Sequence, residues 1–222
     1  MPFDIIKKFG KGENKIENQV EPVIMELCES LLSVIRRRRS IRKYLKKDIP
    51  DFLLERILES TRYTPSAGNY QPWEFIVVKN DETKKDLVAA SYDQKWMLEA
   101  NIFIVACINI RLAGAVYGER GARLYGPQAV SCAIENMLLT AESLGLGTCW
   151  VGAFTEVVVS RVLECPEYVR PCAIITLGYP NEEPPMPPRQ SIQEYVHIEK
   201  FGETLRMISV GKEKTPTYMK FR

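Results

Sequence analysis

The sequence predicts an α+β or three-layer fold with a mixed sheet of four or five strands flanked by helices. Three observations predict it. Two stretches of helical periodicity precede the first strand-like segment. From residue 73 onward, β-type runs alternate with helical ones. Residues 102–110 (IFIVACINI) form a nearly unbroken apolar run, the pattern of a strand buried on both faces. The chain has 222 residues, 45% of them hydrophobic and 26% charged, which is enough for one sizeable core and argues against disorder. No linker is clear enough to divide it, so residues 21–222 read as a single domain.

The elements follow in order. Residues 1–20 are polar, lysine-rich and punctuated by glycine, and read as a flexible N-terminal extension. Val23, Ile24, Leu27, Cys28, Leu31, Leu32 and Ile35 then recur at helical spacing. A second helix opens at Ile49-Pro50-Asp51, with proline in the first turn and Leu53, Leu54, Ile57 and Leu58 on one face. Residues 64–72 (TPSAGNYQP) are a turn-rich loop feeding a strand at 73–78 (WEFIVV). A helix is expected from Asp81 to about Ala100, with a break near Asp93 as the variant reading. After the apolar strand, residues 111–125 (RLAGAVYGERGARLY) hold three arginines and three glycines without a clean period. They read as a mobile loop or short helix over a site.

A strong helix spans residues 127–144, with Val130, Ala133, Ile134, Met137, Leu138, Ala141 and Leu144 inward and Gly145 as its stop. Residues 145–154 (GLGTCWVGAF) turn into a short strand. Thr155 is a good N-cap for a helix to about Cys165, and residues 172–177 are the last strand. Residues 180–188 hold five prolines and read as a rigid, extended connector. The tail beyond it has low periodicity: it is either disordered or packs on something, and a second subunit is a natural candidate.

Composition excludes several classes. The longest strongly apolar stretch, residues 102–108, is too short to span a bilayer. The N-terminus lacks an apolar signal core and a small-residue cleavage site, so a soluble cytoplasmic protein is expected, with no membrane partner. Six cysteines (28, 107, 132, 149, 165 and 172) form no CxxC pair and read as reduced, mostly buried thiols rather than metal ligands. The single histidine, His197, argues against a multi-histidine metal site and against a histidine-based triad.

Charge is the sharpest compositional signal. The net charge is +2, yet Arg36, Arg37, Arg38, Arg39, Arg42, Lys43, Lys46 and Lys47 lie within one short segment free of acids. Without those eight positive charges the balance is −6. An acidic body thus carries one basic cluster, which asks for an anionic partner. Gly145-Leu146-Gly147 could open a GxGxxG motif, but Trp150 occupies the last glycine position, and no GxxxxGK[ST] motif occurs. If the backbone is extended after Arg39, then Arg38, Ser40 and Arg42 face one way. Two guanidinium forks and a hydroxyl can grip one phosphate. The alternatives are a solvated helix end complementing the helix dipole and a nucleic-acid surface. The acidic body and the lack of interleaved aromatics disfavour nucleic acid.

Three further segments carry possible chemistry. PSAGNYQPWEF offers free backbone N–H groups and amides to the edge of a planar heterocycle. GLGTCWVGAF lets backbone approach a flat ligand closely. Pro187-Pro188-Arg189 presents one arginine from a rigid segment. Each could equally be an ordinary loop, a tight helix-to-strand turn or a surface arginine.

Together and in this order, RRSIRKY, TPSAGNYQPWEFIVV, GLGTCWVGAF and PPRQSIQEYVH resemble the nitroreductase family of FMN-dependent oxidoreductases. The resemblance covers roughly residues 25–200. It implies a three-layer α+β homodimer, interlocked, with a mixed, mainly antiparallel sheet of four or five strands and two FMN sites at the subunit interface. The tail from about residue 190 to 222 would wrap the partner, and the helix at 127–144 would form much of the dimer core. By position, Arg38, Arg39 and Ser40 would contact the FMN phosphate and ribityl chain, with Arg189 as a second phosphate partner. Arg42 would sit near the pyrimidine N1/O2 edge and Gln94 would bond that edge. Val151 and Gly152 would bring backbone near flavin N5. Pro65, Ser66, Ala67 and Asn69 would come from the other subunit.

The implied chemistry is ping-pong hydride transfer from NADH or NADPH through flavin N5 to a nitroaromatic, quinone or similar conjugated small molecule. No protein nucleophile is needed. Tyr117, Arg120, Arg123 and Tyr125 could stack on or pair with the acceptor. Dehalogenation, azoline oxidation and flavin binding without turnover are the alternative readings within the resemblance.

Overall fold

The computed structural model describes residues 14–203, with side chains described from residue 25 onward. Residues 1–13 of the expected extension at 1–20, and residues 204–222 of the expected arm at about 190–222, lie outside the described residues. Helix α1 (Asn14–Arg37) begins before Glu21. In sequence, Ile16 and Val20 continue the four-residue spacing that leads to Ile24. The chain divides into a main unit up to Pro184 and a C-terminal unit from Pro185. In the C-terminal unit a short 3₁₀ turn (Ile192–Glu194) precedes His197, whose ring lies 4.4 Å from that of Phe201.

The main unit holds five strands: β1 (Tyr44–Leu45), β2 (Trp73–Val78), β3 (Ile102–Asn109), β4 (Gly147–Val151) and β5 (Val169–Pro180). The order is β1-β5-β3-β2, and β4 lies on the same edge of β5 as β1. Every strand pair is antiparallel. A single parallel bridge, Ser40 to Thr148, makes the sheet mixed.

Alternation along β3 builds the three layers. Ile102, Ile104, Ala106 and Ile108 face α2 (Asp51–Ser60) and α5 (Gly126–Ser143), packing with Leu54, Ile57, Val130, Ile134, Met137 and Ala141. Phe103, Val105 and Cys107 face the opposite way, toward Leu87 and Val88 of α3 (Asp81–Ala90) and Val159 of α6 (Glu156–Val162). Fully burying such a side chain contributes about 1.5–3 kcal/mol, so this central strand is the main hydrophobic anchor of both layers.

Several expectations change in detail. The helix after Asn80 stops at Ala90, because Tyr92 and Asp93 adopt φ of 55° and 54°. A 3₁₀ turn, Lys95–Glu99, takes up the rest. Of the two readings for residues 111–125, the short helix is the one observed, as α4 (Ile110–Arg120) followed by a π-turn (Gly121–Tyr125). Strand β5 runs well beyond residues 172–177 at both ends. It accommodates Pro171, which has no N–H for the ladder, through a register shift beside Ala106 and Cys107. Cys107 and Cys149 are buried as expected, whereas Cys28 and Cys132 are exposed on helices; all six thiols are free.

Strand β1 is only two residues long, yet Tyr44 pins it. The ring packs on Gly178, where a Cβ would lie 2.6 Å from the Tyr44 ring. The buried hydroxyl donates to the Ile41 carbonyl (2.6 Å) and shares a 2.7 Å bond with Thr176 Oγ1. Burial pushes the phenol pKa well above its ordinary value, opposed by the bond to Thr176. The folded protein therefore prefers the neutral phenol. Its contribution to stability is complete below about pH 10, where an unfolded tyrosine ionises, and is lost as pH rises beyond that. Tyr44→Phe is expected to flatten the alkaline limb of stability. Thermal melts of both proteins between about pH 8 and 11 check this, and parallel declines would contradict it.

Candidate functional site

The structure sorts the candidate residues into two groups, one at each edge of the sheet. The first forms where α1 ends. After Arg38 the backbone runs as an extended strap, and Ile41 N–H donates to the Thr148 carbonyl of β4 (2.9 Å). Ile41 turns into the core against Gly147, where a Cβ would come within 2.9 Å of the isoleucine side chain. Only glycine lets the strap lie this close. With Ile41 inward, Arg38, Ser40 and Arg42 share the other side and face the Cys149 thiol. Burial raises the pKa of that thiol, while Arg42, Ser40 and Arg38 act to lower it.

Other elements hold this group in shape. Glu182 Oε1 accepts from the backbone N–H groups of Arg42 (2.6 Å) and Lys43 (3.1 Å), and Asn181 N–H donates to the Lys43 carbonyl. The Arg42 guanidinium carbon lies 5.5 Å from the Trp96 ring centroid. Gln94 follows the bend at Asp93, and its Nε2 donates to the carbonyls of Ser91 (3.1 Å) and Ala153 (3.2 Å). That ties Gln94 to the end of β4, beside buried Val151 and exposed Gly152. The result is a positive, hydroxyl-bearing cradle next to open backbone and an amide.

Arg39 lies on the opposite side of the strap. Its Nη1 donates to the carbonyls of Arg36, Arg37 and Arg38, at 2.5, 3.1 and 2.8 Å. These are end carbonyls of α1, at the negative pole of the helix, which attracts a cation. Its Nε is buried with no partner among the described residues, beside a cavity of about 380 Å³ also lined by Arg37, Glu142 and Glu182. Arg189 is exposed in the C-terminal unit.

The second group begins in the loop before β2. Gly68, Asn69 and Gln71 all have positive φ, at 57°, 57° and 50°. Gln71 N–H bonds Ser66 Oγ (3.0 Å), and Asn69 N–H bonds the Ser66 carbonyl (2.9 Å). A Cβ on Gly68 would lie 3.3 Å from the Tyr117 hydroxyl, so α4 covers the loop. Tyr117 and Tyr125 meet edge to face at 5.3 Å. Pro65, Ser66, Ala67, Tyr125, Gln128, Ala129 and Cys132 line a hollow of about 210 Å³. Arg120 joins this group, donating from Nε to the Tyr125 hydroxyl (2.8 Å). Arg123 pairs instead with Glu119 in an exposed ion pair at 3.0 Å.

The sheet separates the groups. The loop enters β2 at Trp73, opposite Ile108 of β3, whereas Val151 ends β4, opposite Ile174 of β5. From β4 to β2 are three strand spacings, about 14 Å. Sequence reasoning missed Glu182, Trp96 and Cys149 in this site. Glu182 carries no local signal, since it reaches Arg42 across 140 residues.

The sequence model described as the nitroreductase family matches residues 35–96 and 89–179. The chain belongs to the nitroreductase family. A Thermus thermophilus protein named NADH dehydrogenase is 33% identical over 176 residues, spanning 66% of this chain and 85% of that relative. An FMN reductase [NAD(P)H] from Bacillus subtilis is 28% identical over 200 residues, or 83% of this chain and 80% of its own length. The solved structure of NADPH:FMN oxidoreductase from Vibrio harveyi complexed with NAD+ is 25% identical. It covers 78% of both chains at a TM-score of 0.72. Among the described residues, no group of three or more His, Cys, Asp or Glu side chains could hold a metal ion, and no helix is long and apolar enough to cross a membrane.

Proposed function

We propose that the protein is an FMN-dependent NAD(P)H oxidoreductase of the cytoplasm, acting on nitroaromatic, quinone or similar conjugated acceptors. One observation carries the reading. Arg38, Ser40 and Arg42 converge on one side of a strap, next to the exposed backbone of Gly152 and the amide of Gln94. That combination fits FMN: cations and a hydroxyl suit the phosphate, and open backbone suits a flat ring. Among the described residues the Gln94 Oε1 has no protein partner and is left to accept from a ring N–H.

When bound, FMN supplies hydride transfer between the nicotinamide and the acceptor at its N5. The chain's own part is binding and electrostatics. Arg38 and Ser40 take the phosphate, and Arg39 serves from the far side by fixing the strap to α1. Arg42 stands at the pyrimidine edge, where a cation favours the anionic reduced ring. Val151 and Gly152 keep backbone rather than side chains beside the reacting edge.

The site is completed by a second copy of the chain. Pro65, Ser66, Ala67 and Asn69 lie at the other sheet edge, so those of one subunit serve the flavin cradled by Arg42 of the other. The exposed apolar stripe of α1 (Leu27, Leu31 and Ile35) supports burial against a second copy. The helix at 127–144 contributes to the dimer core.

The purified protein is expected to be yellow, with oxidised-flavin absorbance near about 450 nm that bleaches anaerobically with NADH or NADPH and returns on adding a quinone or nitroaromatic. A colourless protein that takes up no added FMN would rule the reading out. A flavoprotein that neither donor bleaches would leave only flavin binding.

A further inference from the structure

The π-turn at Gly121–Tyr125 does something an α-helix does not. In an α-helix, residues five apart point in well-separated directions. The wider π-turn lays residue 125 alongside residue 120, and such turns recur at functional sites. The turn is fixed by packing: a Cβ on Gly121 would run into the Ala113 carbonyl, so only glycine allows α4 to pack back here. Gly118, with φ of 54° and ψ of −136°, supplies the reversal that makes this possible.

The consequence is a clamped arginine. Arg120 Nε donates to the Tyr125 hydroxyl at 2.8 Å, and its guanidinium carbon lies 5.3 Å from the Tyr125 ring centroid. Tyr125 is itself braced by Tyr117 and lines the hollow beside Pro65, Ser66 and Ala67. Glu119, the neighbouring acid, is engaged by Arg123. The two terminal nitrogens of Arg120 therefore have no protein partner among the described residues, while Nε fixes the plane of the fork. An oriented fork with free ends is the arrangement that takes a carboxylate, sulfonate or phosphate bidentately.

We infer that Arg120, oriented by Tyr125, recognises a negatively charged substituent on the substrate. The anion is either a carboxylate or sulfonate on the aromatic acceptor or a phosphate of the nicotinamide nucleotide. The inference rests on the flavin-dependent reading above and deepens it, because Tyr117, Tyr125 and the loop at 65–69 form the wall offered to the flavin. The favoured acceptors would then be anionic nitroaromatics or quinones, or the favoured donor would be the one with the extra phosphate.

The test uses the FMN-loaded enzyme and two matched pairs of substrates. In one arm, kcat/KM is compared for 4-nitrobenzoate and the neutral 4-nitrobenzamide at fixed donor. In the other, anaerobic flavin reduction is followed with NADPH and NADH. Arg120→Ala is expected to lower the anionic-to-less-anionic ratio about tenfold in one arm, as loss of a charge-assisted contact does. Tyr125→Phe, which keeps the ring and removes the Nε anchor, should lower the same ratio about threefold. Arg111→Ala removes the same charge from α4 at a position stacked on Tyr168, 4.2 Å from its ring, and should leave both ratios unchanged. A fall in the first arm assigns the anion to the acceptor, and a fall in the second assigns it to the nucleotide. If Arg120→Ala shifts neither ratio, or Arg111→Ala shifts one equally, the inference fails. In that event a yellow enzyme bleached by NAD(P)H leaves the flavin reading intact.

Discussion

Arg42→Ala is expected to purify with little flavin and to bind added FMN about 10- to 100-fold more weakly than the parent protein. Hydrogen bonds to charged groups contribute about 1.5–3 kcal/mol each, and about 1.4 kcal/mol corresponds to a factor of ten. Arg42 is suited to such a loss, because its neighbours fix it before any ligand arrives. Glu182 holds its backbone N–H, Trp96 lies beside its guanidinium, and Ile41 anchors the strap to β4. A side chain ordered in advance gives up little entropy on binding, so its removal forfeits most of the interaction. Arg42→Lys should recover part of the affinity, since it restores charge without the fork. Adding Arg38→Ala should weaken binding further and flatten its salt dependence. Lys46→Ala, which removes a charge from the same basic segment outside the cradle, should change little. Fluorescence titration of FMN into apoprotein measures all four. Equal losses for Lys46 and Arg42 would mean that the segment acts through bulk charge rather than through a built pocket.

Much of this cradle was legible from the residue order alone. Alternation along an extended backbone put Arg38, Ser40 and Arg42 on one side, and the structure does the same because Ile41 must reach the core. The apolar run at 102–110 identified the central strand, since a segment buried on both faces needs no polar side. Arg39 is different. Alternation placed it apart from Arg38 and Arg42, but nothing local foretold that its guanidinium would fold back onto the carbonyls ending α1.

What escaped the sequence was non-local or lacked punctuation. Strand β1 is two residues long, and Tyr44 holds it through bonds to Ile41 and Thr176, a partner 132 positions away. The helix break read near Asp93 uses positive φ at Tyr92 and Asp93, neither of them glycine, so no turn motif showed that the helix would end as early as Ala90. Strand β5 passes through Pro171 and reaches Pro180, where proline argued for its end. Residues 111–125 looked irregular because Gly118 and the π-turn break the 3.6-residue period within a segment that is nonetheless helical. Those irregularities bring Tyr117, Arg120 and Tyr125 together, whereas Arg123 turns away to Glu119.

The separation of the two groups across the sheet leads to the second large effect. Ala67→Glu puts a bulky carboxylate into the wall formed with Pro65 and Ser66, while leaving the Arg38, Ser40 and Arg42 cradle of the same chain intact. Arg38→Ala/Arg42→Ala does the reverse. Each variant alone should form dimers with two defective sites and very low FMN content. When both chains are co-expressed with different tags and the mixed dimer is isolated, one of its two sites combines an intact cradle with an intact wall. The other site carries both defects. Random pairing makes about half of all dimers mixed, so the unfractionated pool should regain about a quarter of the parental flavin and activity. The isolated mixed dimer should regain about half. Such recovery has no explanation within a single chain, because neither polypeptide contains both functional groups. A mixed dimer no better than the mean of its parents would mean that the loop at 65–69 reaches the cradle of its own subunit, across about 14 Å of sheet. The geometry of β2 and β4 argues against that path, because the sheet holds the two edges apart in each chain; on the proposed reading a second chain brings wall and cradle together.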